Sequence, residues 1–345
     1  MQTIPYIRDY VSSLAVGAEC FPACADLRFV KTAQRGLDFV CGGNSIVFRA
    51  EDAEGRSVAV KCYRDHQPRR AEVYALLCAT DVAPWGVVGE FYAEGLTLFQ
   101  GDGTLAVDVL VTPWVEGVPL DRRVAELLNE GRVGEIRALC DEFDALASWL
   151  LAQRWAHGDL KPDNILATPE GLRLIDFDAA WVPALTTPRC EFGTVGYNHP
   201  QRTLAMDSKS VDDWALARTS LALHALTADN GVSVADVFPW RDDCFVRGSE
   251  CFEELCAMFA RVGDARGVRL CEVLCGAFPE LECLAEIFIQ RNQTTISDCT
   301  TFRGRYGWGL HSPDGAITEP PLWDDIVQKD GAYYGLLRGY TYLII

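Results

Sequence analysis

The sequence predicts an α+β chain, β-rich in its first part and α-rich in its second, closed by a small β appendage. Three observations predict it. Strand-type alternation punctuated by glycine runs from about Leu37 to Val115. Helical spacing of apolar residues takes over from Ile136. After Thr301 the helical signal stops, and Gly, Trp, Tyr and Pro dominate. With 345 residues, 49% hydrophobic and 23% charged, the chain exceeds one average domain and sits in the globular class, which excludes long disorder.

In order, Phe39-Val40 leads into Gly42-Gly43-Asn44-Ser45 and then Ile46-Val47-Phe48. A polar turn follows at Glu51–Arg56, and then the alternating Val58-Ala59-Val60. A short helix is expected from about Gln67 to Thr80. Strands at Gly89–Phe99 and Leu105–Val111 flank Gly101-Asp102-Gly103. Ile136, Leu139, Phe143, Leu146 and Leu150, spaced 3, 4, 3 and 4, make one apolar stripe on a long helix. Further helices are expected at Asp212–Ala225 and around Phe252, Leu255, Phe259 and Val262. These patterns suggest an extension at 1–36, a first lobe at 37–117, a second at 118–300 and an appendage at 301–345.

The net charge of −18 repels phosphate backbones and anionic lipid, so neither nucleic acid nor membrane is an expected partner. No run approaches the roughly 18 apolar residues of a membrane helix, and the weak run Val11–Val16 is too short for a signal peptide. The fourteen cysteines contain no C-x-x-C pair. Cys20/Cys24 and Cys271/Cys275 lack the partners of a zinc tetrahedron. Reduced core cysteines in the cytoplasm are expected.

The strongest local signal is His157-Gly158-Asp159-Leu160-Lys161-Pro162-Asp163-Asn164, followed by Leu174-Ile175-Asp176-Phe177-Asp178. Asp, Lys and Asn at fixed offsets with a later Asp supply what phosphoryl transfer needs. One carboxylate orients a hydroxyl, an ammonium neutralises phosphate, and an Asn with a carboxylate holds metal. Only five lysines occur, at 31, 61, 161, 209 and 329, so one at a motif position carries weight.

Over about residues 37–290 the sequence resembles the eukaryotic-like serine/threonine protein kinases. Val58-Ala59-Val60-Lys61 looks like that family's strand-three V-A-I-K. The resemblance implies a bilobal protein-kinase-like fold and dependence on ATP with Mg²⁺ or Mn²⁺. It implies that Asp159 orients the acceptor hydroxyl, Lys161 meets the γ-phosphate, Lys61 the α- and β-phosphates, and Asn164 and Asp176 the metal. Glu72, eleven residues after Lys61, is by family order its helical partner. Nucleotide contacts fall on Gly42, Gly43, Ser45, Val47 and Ala59, on the hinge residues Thr112, Pro113 and Val115, and on Leu166. His157, Phe177, Thr194 and Asp212 shape the catalytic and substrate loops. Lys161 and Gly193–Pro200 favour serine/threonine specificity and disfavour a small-molecule kinase.

The sequence departs from the family in four places. Of three loop glycines, at 40, 42 and 45, only Gly42 remains; D-F-G reads Asp176-Phe177-Asp178; Gly158 replaces an arginine; and Gln201 replaces a glutamate. Loss of the arginine predicts activity independent of phosphorylation at Thr186 or Thr187. Two readings stand: an active kinase, acting on a basic protein given the acidic chain, and a pseudokinase scaffold that binds nucleotide and recruits partners through its tail.

In the tail, Arg305-Tyr306-Gly307-Trp308-Gly309-Leu310 with Asp314-Gly315 and Pro320–Ile326 resembles the WG (Trp-Gly) β-repeat of bacterial proteins. A truncated second copy spans 332–345, with Gly309 and Gly335 separated by 26 residues. Two such units can hardly bury a core alone, so packing on the kinase lobe or on a protein partner is expected.

Overall fold

The computed structural model describes residues 5–16, 19–33, 36–101, 103–189, 193–204, 207–208, 210–228, 242–276, 284, 287–288, 299–304, 307–313, 315–329, 332–337 and 340–343. They form a mixed α+β chain with seven helices among the described residues. Two compact units emerge. The first is Met1–Glu116 with Arg173–Asp178 and Ala184–Pro188; the second is Gly117–Leu172 with Ala179–Pro183 and Arg189–Ile345.

The first unit is built on an antiparallel sheet of β1 (Arg28–Phe29), β4 (Phe39–Cys41), β5 (Ser45–Glu51), β6 (Ser57–Tyr63), β7 (Glu90–Gln100) and β8 (Gly103–Pro113), with β2 (Lys31–Thr32) and β3 (Gly36–Leu37) paired apart from it. The order is β1-β5-β6-β8-β7, with β4 also on β5. Alternation in β5 sends Ile46, Phe48 and Ala50 into the core, where Ile46 faces Cys62 and Phe48 faces Val60. Opposed residues share a face, so the register aligns Val47 and Ala59 with Lys61, and Thr112 with Ala59. A bulge in β7 between Tyr92 and Leu96 is pinned by the buried Asp108, which accepts the Glu94 N–H at 2.9 Å.

Residues 1–36 had no assignable role in the sequence. In the structure their described part completes this core. Tyr10 and Leu14, one turn apart on α1 (Ile7–Val16), are buried, and the Tyr10 hydroxyl donates to the Tyr63 carbonyl at 2.6 Å. β1 extends the sheet through Phe29↔Ala50. Helix α2 (Pro68–Cys78) begins with proline, whose missing N–H costs nothing in a first turn.

The second unit contains α3 (Leu120–Asn129), α4 (Val133–Ala152), α5 (Asp213–Ala228), α6 (Glu250–Val262) and α7 (Ala265–Leu274). α4 carries the expected stripe, with Ile136, Phe143, Leu146 and Leu150 buried. α5 is buried all round, which its Ala- and Leu-rich sequence permits. Gly263 at φ +73 ends α6, and the Asp264 side chain caps α7 by accepting the Gly267 N–H. The expectation of reduced cysteines is corrected, among the described residues, where Cys244 and Cys251 form a disulfide.

The tail folds as two three-stranded antiparallel sheets, 300–303 with 308–311 and 317–323, then 325–329 with 332–337 and 340–343. The two spaced glycines have a steric reason. A Cβ on Gly309 would lie 2.6 Å from the Phe302 ring, and one on Gly335 would lie 2.2 Å from the Trp323 ring. Leu310, Ile326 and Tyr333 close a small core with Cys299. At Gly304 a Cβ would come within 2.7 Å of the Ala152 carbonyl, so the tail rests on the end of α4. Arg305, Tyr306 and Asp314 lie outside the described residues.

Candidate active site

Two clusters of charged side chains carry the residues singled out in the sequence, one in each unit. In the first, Lys61 projects from β6 to Asp176 Oδ1 at 2.7 Å and Asp178 Oδ2 at 2.8 Å. Asp178 Oδ1 accepts the hydroxyls of Tyr63 at 2.7 Å and Tyr74 at 2.8 Å. Arg70 stands 3.6 Å from Asp178 Oδ2, with its guanidinium 4.3 Å from the Tyr63 ring centroid. Burial alone would lower the Lys61 pKa, but Asp176 and Asp178 outweigh it and hold the ammonium above the ordinary lysine range. Asp176 adopts φ +65, a left-handed backbone uncommon outside glycine.

The expected Lys61–Glu72 pair is overturned. Glu72 accepts the Thr186 N–H and hydroxyl, both at 2.7 Å, and the Thr187 N–H at 2.9 Å and hydroxyl at 2.6 Å. The Thr187 and Thr186 hydroxyls, with their N–H groups, lower the Glu72 carboxyl to about 2. The physical reason is competition: Asp178 already occupies the lysine, and four donors on a chain turn satisfy a carboxylate better than a shared ammonium. Arg69 adds a bond to the Thr187 carbonyl at 2.7 Å.

On the same sheet, Val47, Ala59 and Thr112 share the Lys61 face. Pro113 ends β8 opposite Val58, and Trp114 N–H bonds to the Ser57 carbonyl at 3.0 Å just before Val115. Ser45 is drawn into the ladder opposite Tyr63. The exposed tip is therefore Gly42-Gly43-Asn44, closed by Gly42 N–H to the Ser45 carbonyl at 2.9 Å. Phe177 is fully buried.

The second cluster is a loop braced from below. Asp212, 1% exposed, accepts the backbone N–H of His157 at 2.6 Å and Gly158 at 2.7 Å. That fixes the turn into Asp159. Asp159 Oδ1 accepts the Thr194 N–H at 2.7 Å, and Lys161 Nζ lies 3.3 Å from Oδ2 and 2.8 Å from the Thr194 hydroxyl. Asn164 Nδ2 donates to the Asp159 carbonyl at 2.8 Å and its Oδ2 at 3.3 Å. Burial pushes the Asp159 carboxyl up, but Lys161 and the Thr194 donors outweigh it and hold it below the usual carboxylate range. Leu166 also belongs to this unit, paired with Pro119.

Gly158 has φ +84, and a Cβ there would lie 1.9 Å from the Ala179 carbonyl oxygen, so no larger side chain fits this backbone. A cation from downstream closes on this turn. Buried Arg189 donates to the Gly158 carbonyl at 2.6 Å and the Ala179 carbonyl at 3.2 Å, and pairs with Asp207 at 3.3 Å.

Sequence reasoning missed Asp178 as a lysine partner, together with Tyr63, Tyr74 and Arg70. The available signal was a carboxylate at a glycine position, which needs partners if buried. It also missed Cys140, Asp144 and His224, whose ligand atoms lie within 4.8 Å of one another. Burial opposes charge on His224, but bonds to Asp144 and Asp264 raise its pKa to about 11. Arg266 also pairs with Asp144, so His224 and Arg266 stand against the carboxylates of Asp144 and Asp264 in one charge network.

No family model matches the chain. Two proteins named serine/threonine-protein kinase AfsK, from Streptomyces griseus and Streptomyces coelicolor (strain ATCC BAA-471 / A3(2) / M145), are each 30% identical to it over 176 residues. The chain is distantly similar to bacterial serine/threonine-protein kinases. The match covers 49% of this chain and 21% of each relative, so the chain spans about a fifth of their length. Serine/threonine-protein kinase PknG of Mycobacterium leprae (strain TN) is 34% identical over 91 residues, 26% of this chain and 12% of that protein. No helix among the described residues is long and apolar enough to cross a membrane.

Proposed function

We propose that the chain is an ATP- and Mg²⁺-dependent serine/threonine protein kinase that transfers the γ-phosphoryl group to a hydroxyl of a basic protein. The observation that carries this reading is the Asp159–Lys161–Asn164–Thr194 constellation, held by the buried Asp212. An ionised Asp159 accepts the hydroxyl proton or orients the hydroxyl, and Lys161 holds positive charge at the transferred phosphoryl group. Lys61 presents its ammonium to the other phosphates.

The donor chemistry fits a hard cation. Asn164 spends Nδ2 on Asp159 while its oxygen accepts no hydrogen bond among the described residues, and the Asp176 side chain is 39% exposed. Asn164 and Asp176 would hold Mg²⁺ or Mn²⁺, which neutralises phosphate charge when bound. The tail, similar to WG repeats, is proposed as a docking element for a protein partner. The net charge of −18 suits a basic substrate.

One observation favours the scaffold reading: two carboxylates already satisfy Lys61, and nucleotide phosphates must compete with them. The test is transfer from γ-labelled ATP, with Mg²⁺ or Mn²⁺, to a basic protein and to the chain itself. Transfer lost in both Asp159→Ala and Lys61→Ala supports the kinase. ATP that raises Tm without transfer supports the scaffold.

A further inference from the structure

We infer that Asp178 is the residue that positions Lys61, in place of a carboxylate on helix α2. The inference rests on the kinase reading for what Lys61 receives, but the pairing itself stands on geometry within the first unit. Asp178 is built in from three sides. Tyr63 and Tyr74 donate to Oδ1, which fixes the carboxylate plane, and Oδ2 then faces Lys61 at 2.8 Å with Arg70 beside it at 3.6 Å. The side chains of Lys61 and Asp178 are only 13% and 14% exposed, so the pair is shielded from water. Burial keeps both tyrosines protonated, and so obliged to donate.

Asp176 contacts the same ammonium, but its side chain is 39% exposed and it is the residue proposed for metal. On metal binding that carboxylate is shared, and Asp178 remains. Glu72 is spent elsewhere, on the four donors of Thr186 and Thr187. The glycine expected at position 178 would leave the Tyr63 and Tyr74 hydroxyls without this acceptor, so Asp178 and the two tyrosines form one device. The lysine's alignment is thereby carried by the Asp176–Asp178 segment, and α2 is released to hold the segment around Thr186 and Thr187.

The experiment is trace acetylation of the full chain with acetic anhydride across about pH 8–11, read by peptide mass spectrometry. The exposed Lys31 and Lys329 serve as internal references. In the wild type Lys61 should lag the references by about tenfold or more, one pKa unit being tenfold. Asp178→Asn should raise Lys61 reactivity by about tenfold with the references unchanged, whereas Glu72→Gln should leave it within about twofold. A general loosening would also raise Lys161, whose side chain is 22% exposed, and contradict a positioning role. An unchanged Lys61 in Asp178→Asn, or a rise in Glu72→Gln equal to that expected of Asp178→Asn, overturns the inference. If circular dichroism shows Asp178→Asn unfolded, the Glu72→Gln chain decides alone: unchanged Lys61 supports Asp178, raised Lys61 refutes it. Adding ATP with Mg²⁺ reads the kinase assignment separately. Failure to protect Lys61 would remove that assignment while leaving the Asp178 comparison intact.

Discussion

Lys61 and Lys161 are both lysines beside aspartates, yet their surroundings differ in a way that separates holding from reacting. Lys61 sits between two carboxylates at 2.7 and 2.8 Å, with two tyrosines and an arginine completing the cluster. Lys161 meets one carboxylate at 3.3 Å and a threonine hydroxyl at 2.8 Å, and its side chain is 22% exposed. A buried, charge-balanced cluster resists rearrangement, whereas a longer and half-satisfied pair exchanges partners cheaply. On the proposed function, the Lys161–Asp159 loop would receive the substrate and the phosphoryl group, and the Lys61 cluster would be the more fixed support.

The largest expected effect falls on the reacting loop. Asp159→Asn should lower phosphoryl transfer by about a thousandfold while far-UV circular dichroism stays unchanged; retained transfer would break the distinction between the clusters. In the fixed cluster the cost should appear as stability. Asp178→Asn strands a buried ammonium beside one remaining partner, and should cost about 3 kcal/mol in denaturant unfolding. Asp212→Ala leaves the N–H groups of His157 and Gly158 without their acceptor, and should cost about 2 kcal/mol as well as lowering transfer.

The His224 network sharpens the same contrast through pH. Its folded pKa of about 11 lies above the ordinary 6.5, so its stabilisation is full below pH 6.5 and is lost as pH rises towards 11. Denaturant midpoints across that range should fall in the wild type and flatten in His224→Gln. The smallest effect is expected of Glu72→Gln. The clasp on Thr186 and Thr187 contributes in full above the ordinary pKa of 4.5 and fades as pH falls towards 2, but it is exposed to solvent, so Glu72→Gln should lower Tm only slightly at neutral pH and not at all near pH 2.

Local spacing made part of this legible. Asp159, Lys161 and Asn164 lie within one short loop, and that loop folds with the three side chains together. Gly309 and Gly335, 26 residues apart, each lie in the middle strand of a three-stranded sheet. The Lys61 partner was not legible, because 115 residues separate Lys61 from Asp176, and only the folded register decides which carboxylate arrives. A family pattern supplied Glu72, and the aspartate at 178 displaced it. Helix α1 was legible in principle, because Ile7, Tyr10, Val11 and Leu14 fall at i, i+3, i+4 and i+7, and Tyr10, Val11 and Leu14 pack into the core. α7 was legible in principle, from Gly263 as a stop and Asp264 as a cap.

The central claim, that the Asp159 loop transfers phosphate, is tested most directly by measuring ADP formed against phosphoserine and phosphothreonine formed from ATP, Mg²⁺ and a basic protein. One phosphorylated hydroxyl per ADP, abolished by Asp159→Ala, is the result expected. Nucleotide binding with no phosphorylated hydroxyl, or transfer that survives Asp159→Ala, would contradict it.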